Sequence, residues 1–232
     1  MAYEETFLAY LDFLGFSEAS AELDDLTRQK VLELLQSLVA LRGEFVATTT
    51  KDSGGYSIRP AVSTFSDHIV ISYSLAALRD TTELTTETIP LIIYAQLQGL
   101  ISTIAAAALR LGFLVRGAAT IGKLYHANAV VFGEALVEAT QLEARTAVYP
   151  RIILSSAVSR RGQDWKKFLV TRDDDGIYCL DYIGGMLLRA APPGDNWAAN
   201  VKQWFDEIVP VVKSALDALE GNEKLNELAK MG

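Results

Sequence analysis

Phe7-Leu8-Ala9-Tyr10-Leu11-Asp12-Phe13-Leu14-Gly15-Phe16 is an apolar, aromatic-rich run of strand length, with one carboxylate near its end and a glycine three residues later. A continuous apolar run closed by a turn residue reads as a buried strand. An ionised carboxylate inside such a strand is costly to desolvate unless something pairs with it, and a divalent cation is one such partner. A second carboxylate in similar company follows in Ser63-Thr64-Phe65-Ser66-Asp67-His68-Ile69-Val70-Ile71-Ser72. There the apolar runs Arg59–Phe65 and His68–Tyr73 flank Ser66-Asp67, which reads as a hairpin tip with Asp67 at its apex. Two aspartates on neighbouring strand ends suit hard cations that hold phosphates.

The remaining composition narrows the field. At 232 residues, half of them hydrophobic, the chain is long enough for one well-buried core, and a single domain over 1–232 is expected. A net charge of -8 argues against a protein that coats DNA or RNA, which needs a basic face. The lone Cys179 lies in an apolar strand-like stretch and reads as a buried small hydrophobe, not a catalytic thiol. Met1-Ala2-Tyr3-Glu4-Glu5 is acidic where a targeting segment is basic, so a cytoplasmic protein is expected. Thr88 to Leu109 carries no charge over membrane-span length, yet Gln96, Gln98, Ser102 and Thr103 interrupt it and no basic cluster flanks it. A core helix or a partner contact is the expected role, with no membrane.

Beyond the first strand, Leu26–Phe45 carries an apolar stripe at helical spacing and 48–55 reads as a polar loop. A helix from Pro90 to Gly112, a strand Phe113–Ile121, a loop or wide hairpin over 122–128, a returning strand 129–132 and a helix Glu134–Thr146 follow. Arg151–Leu154 reads as a strand, Phe168–Thr171 and Ile177–Asp181 as a hairpin turned by Asp173-Asp174-Asp175-Gly176, and Trp197–Leu219 as an amphipathic helix. This alternation is an α+β class: a ferredoxin-like, mostly antiparallel sheet with helices over one face, and an extra C-terminal hairpin and helix over 157–232.

Asp12-x-x-Gly15-Phe16, the Ser66-Asp67 hairpin, Leu114-Val115-Arg116-Gly117-Ala118, and Phe132-Gly133 opening a helix that ends in Leu142-Glu143 run in a definite order. From about Phe7 to Ser156 the chain resembles the class III nucleotide cyclases in this order of landmarks. It is similar more narrowly to the pyrimidine (uridylate and cytidylate) cyclases of Pycsar antiphage systems in Phe65-Ser66-Asp67-x-Ile69-Val70, Arg116-Gly117-Ala118, Gly122-Lys123-Leu124-Tyr125-His126 and Tyr149-Pro150-Arg151-Ile152. The resemblance implies that Asp12, Asp67 and the backbone carbonyl of Phe13 hold two divalent cations, Mn2+ or Mg2+, which clamp a nucleoside triphosphate. It also implies a homodimer, and a separate effector protein that is activated by the cyclic product.

Departures from the wider family follow from the same alignment. The family's ribose-orienting asparagine falls on Val137 and its transition-state arginine on Gln141, while its purine-reading positions become Val130 and Ser63. A pyrimidine, UTP ahead of CTP, or a silent site is therefore implied. Arg59 and Arg116 are the candidate replacement cations, with Lys123 and Arg145 behind them. Tyr10 shares parity with Asp12 and is a candidate to contact the base, as Ser63 is, and backbone N–H groups of Leu14-Gly15-Phe16-Ser17 are candidate phosphate ligands. His68 has the opposite parity to Asp67 and is expected to face away; His126 is expected in a loop beside Tyr125, with no partner visible in the sequence. No Cys/His metal pattern and no phosphate-binding Gly-x-x-x-x-Gly-Lys-Ser/Thr loop is present. The competing readings are a catalytically silent cyclase-fold module and a two-metal phosphohydrolase.

Overall fold

Strand β1 (Glu4–Leu14) lies at the centre of the computed structural model of this chain, buried along both of its faces. The structure describes residues 3–16, 25–26, 28–37, 59–77, 88–128, 130–161, 170–191, 194 and 196–220. β1 pairs on one side with β3 (His68–Ser74), which carries β2 (Ala61–Phe65) beyond it, and on the other with β4 (Leu114–Ala127). The sheet continues through β6 (Ile152–Leu154) and β8 (Tyr178–Leu180) to β7 (Val170–Arg172). β5 (Val130–Phe132) pairs with the far end of β4, outside that path. Among the described residues only the β4–β6 pairing is parallel; the other strand pairs are antiparallel. This is the expected α+β class with a mostly antiparallel sheet.

The helices cover both faces of the sheet and not one, because β1 alternates between two apolar environments. Phe7, Ala9, Leu11 and Phe13 pack with α1 (Thr88–Arg110), while Leu8 and Ala118 pack with α2 (Glu134–Thr146) and Tyr10 lies against the same cluster. α1 is the uncharged stretch. By length and composition it is long and apolar enough to cross a membrane, and here it packs on the sheet with Ile93, Leu97 and Ile101 fully buried. Its polar interruptions are spent inside the fold: Gln98 Nε2 donates to the Asp181 carbonyl and Ser102 Oγ to the Tyr182 carbonyl. Of the two roles expected for this helix, core or partner contact, the structure shows the core one, with Ile89, Leu100 and Ala108 also buried. It stops where Gly112 N–H bonds the Leu109 carbonyl and Phe113 N–H the Ala108 carbonyl, with Gly112 at φ 88°.

The segment 122–128, expected as a loop or wide hairpin, is the hairpin: its residues to Ala127 are the second half of β4, which pairs antiparallel with β5. Leu124, Lys123 and Gly122 pair with Glu4, Glu5 and Thr6, and Tyr125 pairs with Phe132. Gly122 breaks nothing; a Cβ there would meet Ala135 at 3.3 Å, so it marks where α2 crosses the sheet closely. Gly133, the N-cap of α2, sits at φ 148° and ψ 172°, a region open to glycine almost alone.

In the C-terminal third the expected hairpin is present as β7 and β8, with its outermost residues 168–169 outside the described ones. α3 (Ser156–Arg161) and α4 (Tyr182–Ala190) are additional short helices, and α5 (Trp197–Glu220) is the amphipathic helix expected there. The acidic turn is tied down, since Arg151 Nη1 lies 2.7 Å from both Asp173 Oδ2 and Asp175 Oδ2. Residues 28–37 are helical; the rest of Leu26–Phe45 beyond 37 and the loop 48–55 lie outside the described residues.

Candidate active site

Residues opposite one another in a ladder share a sheet face. Asp12 of β1 is flanked by His68 of β3 and Arg116 of β4 in register, so the three side chains project together. This overturns the expectation for His68. Parity counted from Asp67 fails because Asp67 belongs to the turn, where Ser66 takes φ 53°, and the strand alternation starts only at His68. His68 therefore inherits the face of Asp12.

The Asp12 carboxylate is 6% exposed and divided between two neighbours. Oδ2 accepts a hydrogen bond from Arg116 Nε at 2.7 Å, and Oδ1 lies 3.5 Å from His68 Nε2. His68 Nδ1 in turn lies 3.0 Å from Asp67 Oδ1. A backbone bond from Phe13 N–H to the Asp67 carbonyl, 3.2 Å, ties the hairpin tip to the end of β1. Tyr10 occupies the same face one ladder step back and stacks on the His68 ring, with centroids 5.2 Å apart. Burial first, then the carboxylates of Glu143, Asp12 and Asp67, hold its phenol well above the ordinary tyrosine range. Its hydroxyl therefore stays protonated at ordinary pH.

Glu143 is a site residue that the sequence reading passed over. It ends the buried line Ala135, Ala139, Glu143 on α2, spaced four apart, and its Oε1 lies 2.7 Å from Arg116 Nε. The single Nε proton goes to Asp12, so Glu143 Oε1 is buried without a hydrogen-bond partner. Desolvation raises the Glu143 pKa, opposed by the Arg116 charge and reinforced by Asp12. The signal available in the sequence was Arg116 itself: a partly buried guanidinium calls for carboxylates, and the two alanines show which face of α2 approaches the sheet.

The stability consequence has a definite sign. With its folded pKa above the ordinary 4.5, native Glu143 keeps a proton that the unfolded chain has lost, so its contribution is fully present below 4.5 and is lost as pH rises through the raised value. Glu143→Gln is expected to match wild type in urea unfolding near about pH 4 and to exceed it near about pH 8, with divalent ions absent. Equal midpoints at both pH values would contradict the raised pKa.

The donor set fits a divalent cation. Asp12, Asp67 and His68 each offer a ligand atom, and these atoms all lie within 4.8 Å of one another. Two carboxylate oxygens and an imidazole nitrogen are ordinary ligands for such ions, and Glu143, which shares Arg116 with Asp12 and has its Oε1 buried without a hydrogen bond, adds negative charge that a cation would relieve.

No protein-family model matches the sequence, and no curated protein does. Solved structures do resemble it. The monomeric guanylyl cyclase domain of the RhoGC fusion protein from Blastocladiella emersonii is 13% identical, with 77% of this chain and 95% of that one covered at TM-score 0.48. A bacterial light-regulated adenylyl cyclase is 13% identical over 91% of this chain and 58% of its own, at 0.47. A class III adenylyl cyclase-like ATP-binding protein from Pseudomonas aeruginosa is 14% identical, with 78% and 39% covered, at 0.44.

Other residues singled out in the sequence lie elsewhere. Ser63 is buried one ladder further along the face, and its hydroxyl is 2.8 Å from His126 Nε2, whose Nδ1 is 2.7 Å from the Ser72 hydroxyl. His126 is thus a strand residue with two partners, contrary to the loop expected. Arg59 precedes β2 and lines a small cleft of about 190 Å³ with Thr6, Ser72 and His126, away from the hairpin tip that carries Asp67. Gly15 takes φ 85° to turn the chain after β1, and Phe16 is buried against Phe113. Ser17 lies outside the described residues. Lys123 pairs opposite Glu5 near the start of β1, and Arg145 is exposed on α2. Val137 and Gln141 are exposed on α2, on the side away from Glu143's contacts with the sheet. Cys179 is buried, and desolvation pushes its thiol up to about 12, which leaves it inert.

Proposed function

We propose that this chain is a nucleotide cyclase that converts a pyrimidine nucleoside triphosphate, UTP ahead of CTP, into its 3′,5′-cyclic monophosphate and pyrophosphate. The convergence of Asp12, Asp67 and His68 at the joined ends of β1 and the β2–β3 hairpin carries this reading. Bound divalent cations would supply charge neutralisation to the triphosphate and favour ionisation of the ribose hydroxyl. Asp12 and Asp67, with the Phe13 carbonyl, are the proposed metal ligands. The ribose 3′-oxygen attacks the α-phosphorus, the bond from that phosphorus to the bridging oxygen breaks, pyrophosphate leaves with that electron pair, and the hydroxyl proton passes to solvent. Because the attack is intramolecular, the protein's share is to fold the substrate and place charge.

In this proposal the backbone at Gly15 and Phe16 approaches the phosphates, Arg116 stabilises developing negative charge, and Tyr10 offers an aromatic face to the base. Ser63, fixed by His126, and Arg59 form the base-reading side in place of the purine set. The unit acts as a cytoplasmic homodimer spanning 1–232, away from membranes and nucleic acids, and Val130, Phe132 and Val137, all about half exposed, are its proposed subunit contact. Its product activates a separate effector in antiphage defence. One observation favours a silent regulatory module instead: Arg116 is already engaged by Asp12 and lies against Glu143, and is not free for substrate.

The deciding experiment is incubation with ATP, GTP, CTP and UTP in Mn2+ and in Mg2+, with products identified by mass spectrometry. A single cyclic pyrimidine monophosphate is the expected result. A cyclic purine product would overturn the base assignment, and phosphate release without cyclic product would indicate a phosphohydrolase. No turnover of any triphosphate, even with infected-cell lysate, would leave the silent module.

A further inference from the structure

We infer that His68 is a nitrogen ligand of the divalent cation held by Asp12 and Asp67, and that it biases this site toward first-row transition-metal ions and away from Mg2+. The inference rests on the proposed metal site and adds to it a ligand and a selectivity.

The register places His68 directly across from Asp12, and the ring stands between the two aspartates: Nδ1 is 3.0 Å from Asp67 Oδ1 and Nε2 is 3.5 Å from Asp12 Oδ1. Tyr10 stacks against the ring at 28° between planes, which fixes its orientation before an ion arrives. The Asp12 carboxylate is already sorted. Its Oδ2 is occupied by Arg116, and Oδ1 is the oxygen turned toward His68. Charge gives a second, independent pointer to a cation. Two carboxylates, Asp12 and Glu143, share the one Arg116 guanidinium, a third, Asp67, adjoins across His68, and Glu143, only 6% exposed, has its Oε1 buried without a hydrogen bond. The His68 side chain is 33% exposed, so an entering ion can reach it.

Ligand type then sets the preference. Mg2+ demands oxygen in near-octahedral geometry and gives up its waters reluctantly, so an imidazole in place of an oxygen ligand disfavours it. First-row transition ions accept nitrogen readily. A two-aspartate site without His68 would discriminate less.

The test uses the full chain, free of nucleotide, with Mn2+ alone as probe. Continuous-wave EPR counts bound Mn2+, pulsed EPR detects nitrogen coupling to it, and Mg2+ competition gives the selectivity. Wild type is expected to show one nitrogen-coupled Mn2+. His68→Asn is expected to lose the coupling and to lower the Mn2+ over Mg2+ preference by about tenfold or more, the scale on which perturbing a metal-bound histidine acts. The chain has two histidines, so His126→Asn, which is expected to keep the coupling, assigns the nitrogen and serves as the folding control. Mn2+ bound by wild type and lost in Asp12→Asn, with no nitrogen coupling and a preference unchanged in His68→Asn, would overturn the role of His68 while the metal site stands. Mn2+ that fails to bind, or binds equally to the Asp12→Asn, Asp67→Asn double variant, would overturn the metal site and this inference with it.

Discussion

Asp12→Asn is expected to lower cyclic-nucleotide formation by about a thousandfold or more while leaving the chain folded, and Asp67→Asn to do the same. In the proposed reaction the loss is large because each change removes a full negative charge from the Asp12–Asp67 site, and the cation held there would supply the main charge neutralisation for the leaving pyrophosphate. The fold survives for a reason visible in the structure. Arg116 keeps Glu143 at 2.7 Å as counter-charge, so the partly buried guanidinium is not stranded. Asparagine also preserves the shape of Asp12 and can still accept from Arg116 Nε. Initial rates with UTP at saturating Mn2+, set beside circular dichroism and a thermal midpoint, measure both halves of this expectation. A folded Asp12→Ala, Asp67→Ala double variant that still cyclises would remove the site from the reaction.

How much of this was readable before the structure depends on which interactions are local. The β1 run and the Ser66-Asp67 hairpin were legible because a buried strand needs only an apolar run and a turn to announce it. α2 was legible to the residue, Glu134–Thr146, since glycine before it and a polar, exposed remainder bound it. What failed was alternation carried across a turn. His68 was assigned the wrong face because parity restarts where the ladder does, and only the pairing Asp12↔His68 reveals the starting point. The second half of β4 stayed undecided between loop and hairpin because Gly122 looks like a breaker in one dimension. In three dimensions it is the gap that lets Ala135 of α2 approach. The bonds of His126 to Ser63 and Ser72, residues more than fifty positions away, have no local signature at all. Glu143 lies between these cases: the need of Arg116 for a carboxylate was readable, and the identity of that carboxylate was not.

Gly117→Ala is expected to destabilise the chain by more than about 3 kcal/mol, and Gly117→Val to prevent folding altogether. Gly117 lies in β4 opposite Leu11, between the Asp12–Arg116 and Tyr10–Ala118 pairs. A Cβ built there runs into the backbone carbonyl oxygen of Tyr10 and comes within 3.1 Å of Leu11 Cα. These are main-chain atoms of the central strand, so no side-chain rotation relieves the contact; β1 and β4 must separate or slide. Either movement opens the longest ladder of the sheet and carries Asp12 away from Arg116, leaving carboxylates and a guanidinium buried without one another. Urea unfolding of wild type and Gly117→Ala measures the difference directly, and the recovery of Gly117→Val in the soluble fraction reports the second expectation. Gly99 of α1 supplies the contrast, because none of the described residues lies within 4 Å of a Cβ placed there. Gly99→Ala, in a helix interior, is expected to stabilise the chain by roughly 0.5–1 kcal/mol. If Gly117→Ala unfolded at the same urea concentration as wild type, the close approach of β4 to β1, and with it the placement of Asp12 beside Arg116, would be wrong.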